Sequence, residues 1–410
     1  MSSDPIVIKV VDRLDRSFTY YVDEGELILD FLKRKGYPTG SIIVNENGRV
    51  VSEYITKFKR GFDYSIEMVR AYHLPDIMDR DVNLPSEDND IIYAKSFMEL
   101  TEDGGGINKI AFYNQADLTK YFEKTFLESN SNEYGIFENG DKVVIAFSGG
   151  RDSLSLVLLI SRLRDQLPKI DITAVTVNDC IDQLDLNYTI NLCKEFEIKH
   201  IIQDKADIEK AFNLKIDFES ALKSLYVNFG RQHTLYTLHY VMRHMVEIVY
   251  GKISANKLAL GLHLEDVTAS ILRSLTTGYL VGYPWKRDFG GINYIYPLWA
   301  LSKKEITLYL KLTAENYSKQ GSAATFDRGT VDRDIYYALA DHANDIWPGF
   351  SLHLFKGYSN ILGNTRNGTN SYFRCKNCNG LFSLSKLNFV DPSKNEYCAV
   401  CSDLYSVDAI

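Results

Sequence analysis

The 410-residue sequence contains no run of eighteen uninterrupted apolar residues, which excludes a transmembrane helix of ordinary length. Its start, MSSDPIVIKVVDRLDR, sets Asp4, Lys9 and Asp12 where a secretory signal would need its apolar stretch, so a cytoplasmic protein with no membrane attachment is expected. Cysteine is scarce. Of six residues, Cys180 and Cys193 stand alone, while Cys375, Cys378, Cys398 and Cys401 form two Cys-x-x-Cys pairs. Without a secretion signal, that pattern favours a metal over disulfides. A surplus of positive charge is also lacking, the formal net charge being −8. Between Asp76 and Gly106, nine acids face only Arg80 and Lys95, a local net of −7 that leaves the remainder near −1. The balance therefore neither demands nor forbids a polyanionic partner. What is present is ordinary globular material, 45% hydrophobic and 24% charged, in a chain long enough for two or three domains.

Three modules and an acidic joint are predicted. Strand-forming residues at 6–10 and 17–22 precede a helix at 26–35 with Leu27, Phe31 and Leu32 on one side. A strand at 41–44, a turn at Asn45-Glu46-Asn47-Gly48, a strand at 49–51 and a last strand at 64–70 follow. This order resembles the β-grasp fold of ubiquitin and the small sulfur carriers over residues 1–75. A working carrier ends in a free Gly-Gly carboxylate, whereas here the last strand runs into Ala71-Tyr72-His73-Leu74-Pro75. Gly104-Gly105-Gly106 is internal, either a flexible linker or a processing point. The module is read as a docking or substrate-positioning domain, and 76–106 as an acidic linker.

From 107 to 365 the pattern changes. A helical stretch within 107–140 leads into apolar strands at 142–147, 172–177, 200–202 and 258–260, with helices such as 154–164 and 186–196 between them. The prediction is an α/β fold, a doubly wound parallel sheet. At the end of its first strand stands Ser148-Gly149-Gly150-Arg151-Asp152-Ser153, followed at once by the helix LSLVLLI. A Gly-rich turn into a helix N-terminus offers unpaired N–H groups to a phosphate, and Ser148 and Ser153 add hydroxyl donors. A carboxylate beside phosphates is repulsive unless a cation intervenes, so Asp152 is assigned to Mg²⁺. The loop is not GxxxxGK[ST], since it has no Lys before the second hydroxyl. The bland reading is a Gly-Gly turn with a polar helix cap.

VVIAFSGGRDSLSLVLL resembles the SGGxDS signature of the N-type ATP pyrophosphatases, a PP-loop fold of the HUP type that splits ATP into AMP and pyrophosphate. Within that superfamily, residues 140–405 are similar to the tRNA 2-thiolation group. Its GHNLDD-type segment corresponds to Gly261-Leu262-His263-Leu264-Glu265-Asp266, its proline-leucine segment to Tyr296-Pro297-Leu298 and Lys303-Lys304-Glu305-Ile306, and a later region to Arg328–Arg333 and Trp347-Pro348-Gly349. The resemblance implies ATP binding by Ser148, Gly149, Gly150, Arg151, Asp152 and Ser153. It also implies an adenosine pocket edged by Val177, Asn178 and Asp179, cofactor contacts from Gly261 and Glu265, and a role for Asp266 near Mg²⁺ or the activated carbonyl. Two acids at a helix start also simply suit its dipole.

The Cys-x-x-Cys-Gly that such enzymes place before GHNLDD is absent. The stretch reads Leu225-Tyr226-Val227-Asn228-Phe229-Gly230-Arg231, which cannot hold an iron–sulfur cluster through sulfur. Cys180, beyond the second strand, is either a sulfur-carrying catalytic thiol or an inert core residue. The two C-terminal pairs, nineteen residues apart, predict a zinc ribbon over 366–410 with a closed structural Zn²⁺ site. The leading reading is an enzyme that uses ATP and Mg²⁺ to adenylate a carbonyl oxygen of a tRNA pyrimidine for replacement by sulfur, with Asp152, Asp266 and Cys180 as catalytic candidates. An amine-transferring ligase and a nucleotide-binding scaffold for sulfur-relay partners remain as alternatives. Expected partners are tRNA and a sulfur donor or carrier protein; a homodimer is admitted.

Overall fold

The computed structural model describes residues 5–11, 17–69, 90–100, 106–178, 186–278, 282–314, 332–364, 372–383 and 397–410. The N-terminal sheet comprises β1 (Ile6–Val11), β2 (Ser17–Val22), β3 (Ile42–Glu46), β4 (Arg49–Val51) and β5 (Tyr64–Met68), with α1 (Ile28–Arg34) between β2 and β3. Its order is β2-β1-β5-β3-β4, and only β1 and β5 run parallel. Period-two alternation sends Ile6, Ile8 and Val10 inward against Ile28, Phe31 and Leu32 of α1. Asn47 and Gly48, both at positive φ, make the tight hairpin turn that pairs Glu46 with Arg49.

A correction concerns the acidic joint. Strands β6 (Tyr93–Leu100) and β7 (Gly106–Tyr113) pair antiparallel from Tyr93↔Tyr113 to Leu100↔Gly106, so residues expected in a linker form a hairpin that straddles position 106. Acid counting hid the β-forming residues: Tyr93 and Ala94 are buried, and Lys95 meets the buried carboxylate of Glu305 at 2.7 Å. Helix α2 (Gln115–Ser129) follows, capped by Asn114, whose Oδ1 accepts from the Asp117 N–H at 2.9 Å.

The central sheet is built from β8 (Lys142–Ala146), β9 (Asp171–Val177), β10 (Lys199–Gln203), β11 (Lys257–Ala259), β12 (Lys286–Phe289) and β13 (Ile292–Ile295). Its order is β10-β9-β8-β11-β13-β12, parallel except for the antiparallel edge strand β12. The connecting helices are α3 (Arg151–Arg162), α4 (Leu186–Glu195), α5 (Lys205–Phe212), α6 (Phe218–Phe229), α7 (Arg231–Lys252), α8 (Leu264–Thr277) and α9 (Lys303–Thr313). The chain winds outward from β8 to β10, then returns to the other side of β8 with β11. The strand order therefore reverses between β8 and β11, where an open α/β sheet leaves a crevice beyond its carboxyl ends. Buried Val143, Val144 and Ile145 of β8 and Leu156 to Ile160 of α3 anchor the turn that opens into that crevice.

After α9 come α10 (Asp332–Ile346), α11 (Phe350–Asn364), β14 (Tyr372–Arg374), β15 (Leu381–Ser383) and α12 (Ala399–Ser406). The four C-terminal cysteines share a second core with Phe212, Leu222, Leu225, Val241 and Met245 of α5 to α7. Among the described residues no helix is long and apolar enough to cross a membrane.

Candidate active site at the strand-order reversal

The turn from β8 to α3 needs its glycines. Gly149 has φ +71°, a left-handed conformation that a side chain would strain. Gly150 is the N-cap of α3, and no side chain caps that helix, so its first N–H groups are left for an anion. The Ser148 and Ser153 hydroxyls lie 3.2 Å apart; Ser148 Oγ accepts from the Gly150 N–H at 3.3 Å, and Ser153 Oγ donates to the Gly150 carbonyl at 3.1 Å. Thr176, at the end of β9, donates its hydroxyl to the Phe147 carbonyl at 2.7 Å and meets His200 Nε2 at 2.7 Å, which locks the approach to the turn.

Gly261 explains how the second half of the site arrives. A Cβ there would stand 2.9 Å from the Asp152 carbonyl carbon and 3.0 Å from the Ser153 nitrogen, so the strand β11 exit lies directly on the first turn of α3. Two residues on, His263 is the N-cap of α8 and is buried. Its ring meets Glu265 Oε2 at 2.7 Å through Nδ1 and Asp266 Oδ2 at 3.0 Å through Nε2. Burial opposes a charged imidazole, but Asp266 and Glu265 outweigh it and raise the His263 pKa above its ordinary value. As an imidazolium, the ring can donate to both carboxylates at once.

Each acid has a distinct task. Glu265 is buried and accepts the Lys303 N–H, at 2.9 Å to Oε2 and 3.2 Å to Oε1, which pins the start of α9. Asp266 accepts from the Tyr337 hydroxyl of α10 at 2.5 Å and from the His263 N–H at 3.2 Å. Asp152 pairs with the Lys303 ammonium. Burial disfavours the Asp152 carboxylate, yet Lys303 and His263 overcome it and hold the pKa below the usual carboxylate value. Asp152, Ser148, Gly149, Gly150, Arg151, Ser153, Gly261, Glu265 and Asp266 are thus brought to one neighbourhood. Val177 is half-buried at the end of β9, and the Asn178 N–H donates to the Gln203 carbonyl at 2.8 Å. Asp179 and Cys180 lie outside the described residues, as does most of 328–333.

Sequence reasoning placed Lys303 only in a segment match, and it missed Tyr337 and Thr176 entirely. Nor did it foresee that the N-terminal sheet reaches the site. Glu67 of β5 meets Arg151 at 3.4 Å and Lys311 at 2.8 Å, while buried Glu53 meets Lys304 at 2.7 Å.

The C-terminal cysteines form a separate centre. All four are buried, with their sulfurs within 4.8 Å of one another. N–H groups of Gly380 and Cys401 reach sulfur at 3.4 and 3.5 Å, and Asn377 Nδ2 reaches Cys401 Sγ at 3.4 Å. Cys193 is buried elsewhere, and burial pushes its thiol up to about 11.

Residues 118–339, with the Gly-rich turn and the Gly261–Asp266 segment inside them, match the PP-loop domain. The chain belongs to that family. This PP-loop chain is 29% identical over 183 residues to tRNA-cytidine(32) 2-sulfurtransferases of Burkholderia mallei (strain SAVP1) and Burkholderia pseudomallei (strain K96243). The match spans 44% of this chain and 52% of theirs, so it covers about half the length of those relatives. The U34-tRNA thiolase NcsA from Methanococcus maripaludis, solved with its [4Fe-4S] cluster, shares the fold at a TM-score of 0.54 and 19% identity, over 76% of this chain and 93% of that one.

Proposed function

We propose that this PP-loop protein is an ATP-dependent enzyme that adenylates the C2 carbonyl oxygen of a tRNA pyrimidine, so that sulfur can replace that oxygen. The observation that carries the reading is an uncapped helix N-terminus behind a Gly-Gly turn at the strand-order reversal, flanked by the Asp152–Lys303 and Asp266–His263 pairs. The 2-sulfurtransferase relatives support the choice of substrate.

In this reading the N–H groups of the turn and the Ser148 and Ser153 hydroxyls hold the phosphates. Lys303 balances Asp152, which lets a carboxylate stand beside a polyanion. Glu265 holds α9, and with it Lys303, while Tyr337 and His263 fix Asp266 toward the reacting carbonyl. The carbonyl oxygen attacks the α-phosphorus, the bond to the β-phosphate bridge breaks, and pyrophosphate leaves. A sulfur nucleophile then displaces AMP from C2. Asp152, whose side chain stays 35% exposed, and Asp266 offer the oxygen donors that suit Mg²⁺, and the ion would offset charge on the phosphates.

In this reading the sulfur comes from an external donor or carrier, or passes through Cys180, which lies outside the described residues. Among the described cysteines, Cys193 is buried and the other four belong to the C-terminal cluster. That cluster suits a single Zn²⁺: thiolates about 2.3 Å from one tetrahedral ion lie roughly 3.8 Å apart, and Cys378 Sγ and Cys398 Sγ are 3.9 Å apart. A cubane cluster would spread its thiolates wider, so the centre is read as structural zinc. The N-terminal sheet is read as a β-grasp module of about residues 1–75, supported by its strand order and the helix packed across it.

The test incubates the protein with ATP, total tRNA, sulfide and an ammonium salt, then measures AMP and the mass of the modified nucleoside. Sulfur in place of oxygen, with Asp152→Ala lowering AMP a hundredfold or so, is the expected result. An added amine instead of sulfur, or an Asp152→Ala protein as active as wild type, would overturn the assignment.

A further inference from the structure

The N-terminal sheet touches the beginnings of the helices that frame the Gly-rich turn. Lys304, the second residue of α9, is buried against Glu53 at 2.7 Å and donates to the Thr39 carbonyl at 3.1 Å. Ser41 donates to Asp341 of α10 at 2.8 Å, one helical turn beyond Tyr337, which holds Asp266. Glu67, near the end of β5, reaches Arg151, the residue that opens α3 immediately after Gly150.

The two bonds of Glu67 are unequal. Its Oε2 meets Lys311 at 2.8 Å, whereas Oε1 meets Arg151 Nη1 at 3.4 Å. If Arg151 left, the carboxylate would keep its shorter partner, so no sheltered charge would be orphaned and the exchange would cost little. The Arg151 guanidinium has five N–H donors, and the Glu67 contact uses Nη1 alone. Both side chains are sheltered, Arg151 12% and Glu67 17% exposed, so their attraction is only partly screened. A triphosphate at the α3 N-terminus would carry more negative charge than one carboxylate and lie within reach of the same side chain.

We propose that Glu67 is a positioning residue for the nucleotide site: it parks the Arg151 guanidinium beside the Gly-rich turn, and nucleotide phosphate takes that guanidinium over. The proposal rests on the reading of the turn as the nucleotide site. Glu67 and nucleotide compete for one cation, so each weakens the other's hold on it, as linkage requires. The Glu53 and Ser41 contacts keep the N-terminal module in place while Arg151 changes partner.

The sign of the effect distinguishes this from structural support. Damage to a supporting contact weakens binding, whereas removing a competitor strengthens it. The test titrates Mg·α,β-methylene-ATP calorimetrically into full-length wild type, Glu67→Gln, Arg151→Gln and the double variant. Glu67→Gln is expected to bind roughly three- to tenfold tighter, the yield of about 1 kcal/mol for a modest ion pair. In the Arg151→Gln background the same change should give no gain. Equal or weaker binding by Glu67→Gln overturns the proposal. A gain that survives without Arg151 overturns it too, because the cause would then be the general field of the carboxylate. Wild type that binds no analogue overturns the nucleotide reading and this proposal together, whereas binding with an unresponsive Glu67 overturns only the latter.

Discussion

The Gly-rich turn and the four-cysteine cluster both gather ionisable groups at a helix N-terminus, that of α3 in one case and of α12 in the other, where Cys398 is the N-cap. They differ in closure. Asp152 is partly exposed, and its counter-ion Lys303 comes from a helix distant in sequence; beside it Glu67 pairs with Arg151, and His263 and Tyr337 with Asp266. The cysteines are all buried, and their sulfurs converge on one point within a single core. An open set of exchangeable ion pairs suits a ligand that comes and goes. A closed, buried set of four thiols suits a metal that stays and stabilises the fold.

That contrast can be broken from either side. The largest expected effect is at the closed centre: Cys401→Ser should abolish metal retention and cost several kcal/mol of stability, seen as loss of protein-bound zinc in elemental analysis and early melting of α5 to α7. Full metal loss with an unchanged melting curve would make the centre something other than structural. Next, Gly261→Ala places a methyl group against the Asp152 backbone and should cost about 1–3 kcal/mol, with weaker binding of the nucleotide analogue in the same calorimetric titration.

A pH series sharpens the open side. The raised His263 pKa means that its contribution is fully present below the ordinary value of 6.5 and is lost as pH rises through the folded value. Asp152 behaves oppositely: its contribution is present above 3.8 and fades as pH falls through the depressed folded value. Urea unfolding of His263→Gln should therefore lose the decline on the alkaline side and keep the acid one. The smallest effect is expected at Cys193→Ala, about 1 kcal/mol of stability with thiolated product unchanged; loss of product would assign that buried thiol to sulfur transfer.

Motifs read locally fared better than pairings. The SGGRDS turn, the glycine of Gly261–Asp266 and the two Cys-x-x-Cys pairs are recognisable because their chemistry is set by neighbours within a few residues. Lys303 could not be matched to Asp152 in the same way, since the two are 151 positions apart and meet only because α3 and α9 pack together. The hairpin of β6 and β7 was obscured for a related reason. Its charges mark a linker by composition, while burial of Tyr93 and the Lys95–Glu305 pair is a tertiary outcome.

Strand alternation, helix periodicity, the glycines that permit a phosphate-sized turn and the spacing of thiol ligands are properties of short stretches, so the amino-acid order alone pointed to the α/β pattern and to the kind of chemistry the Gly-rich turn and the paired cysteines can host. Which carboxylate receives which cation, and that the N-terminal sheet reaches Arg151, was decided by packing. Coulomb pairing in a sheltered site depends on distances of a few ångströms between segments far apart in the chain, and only the folded chain sets those distances.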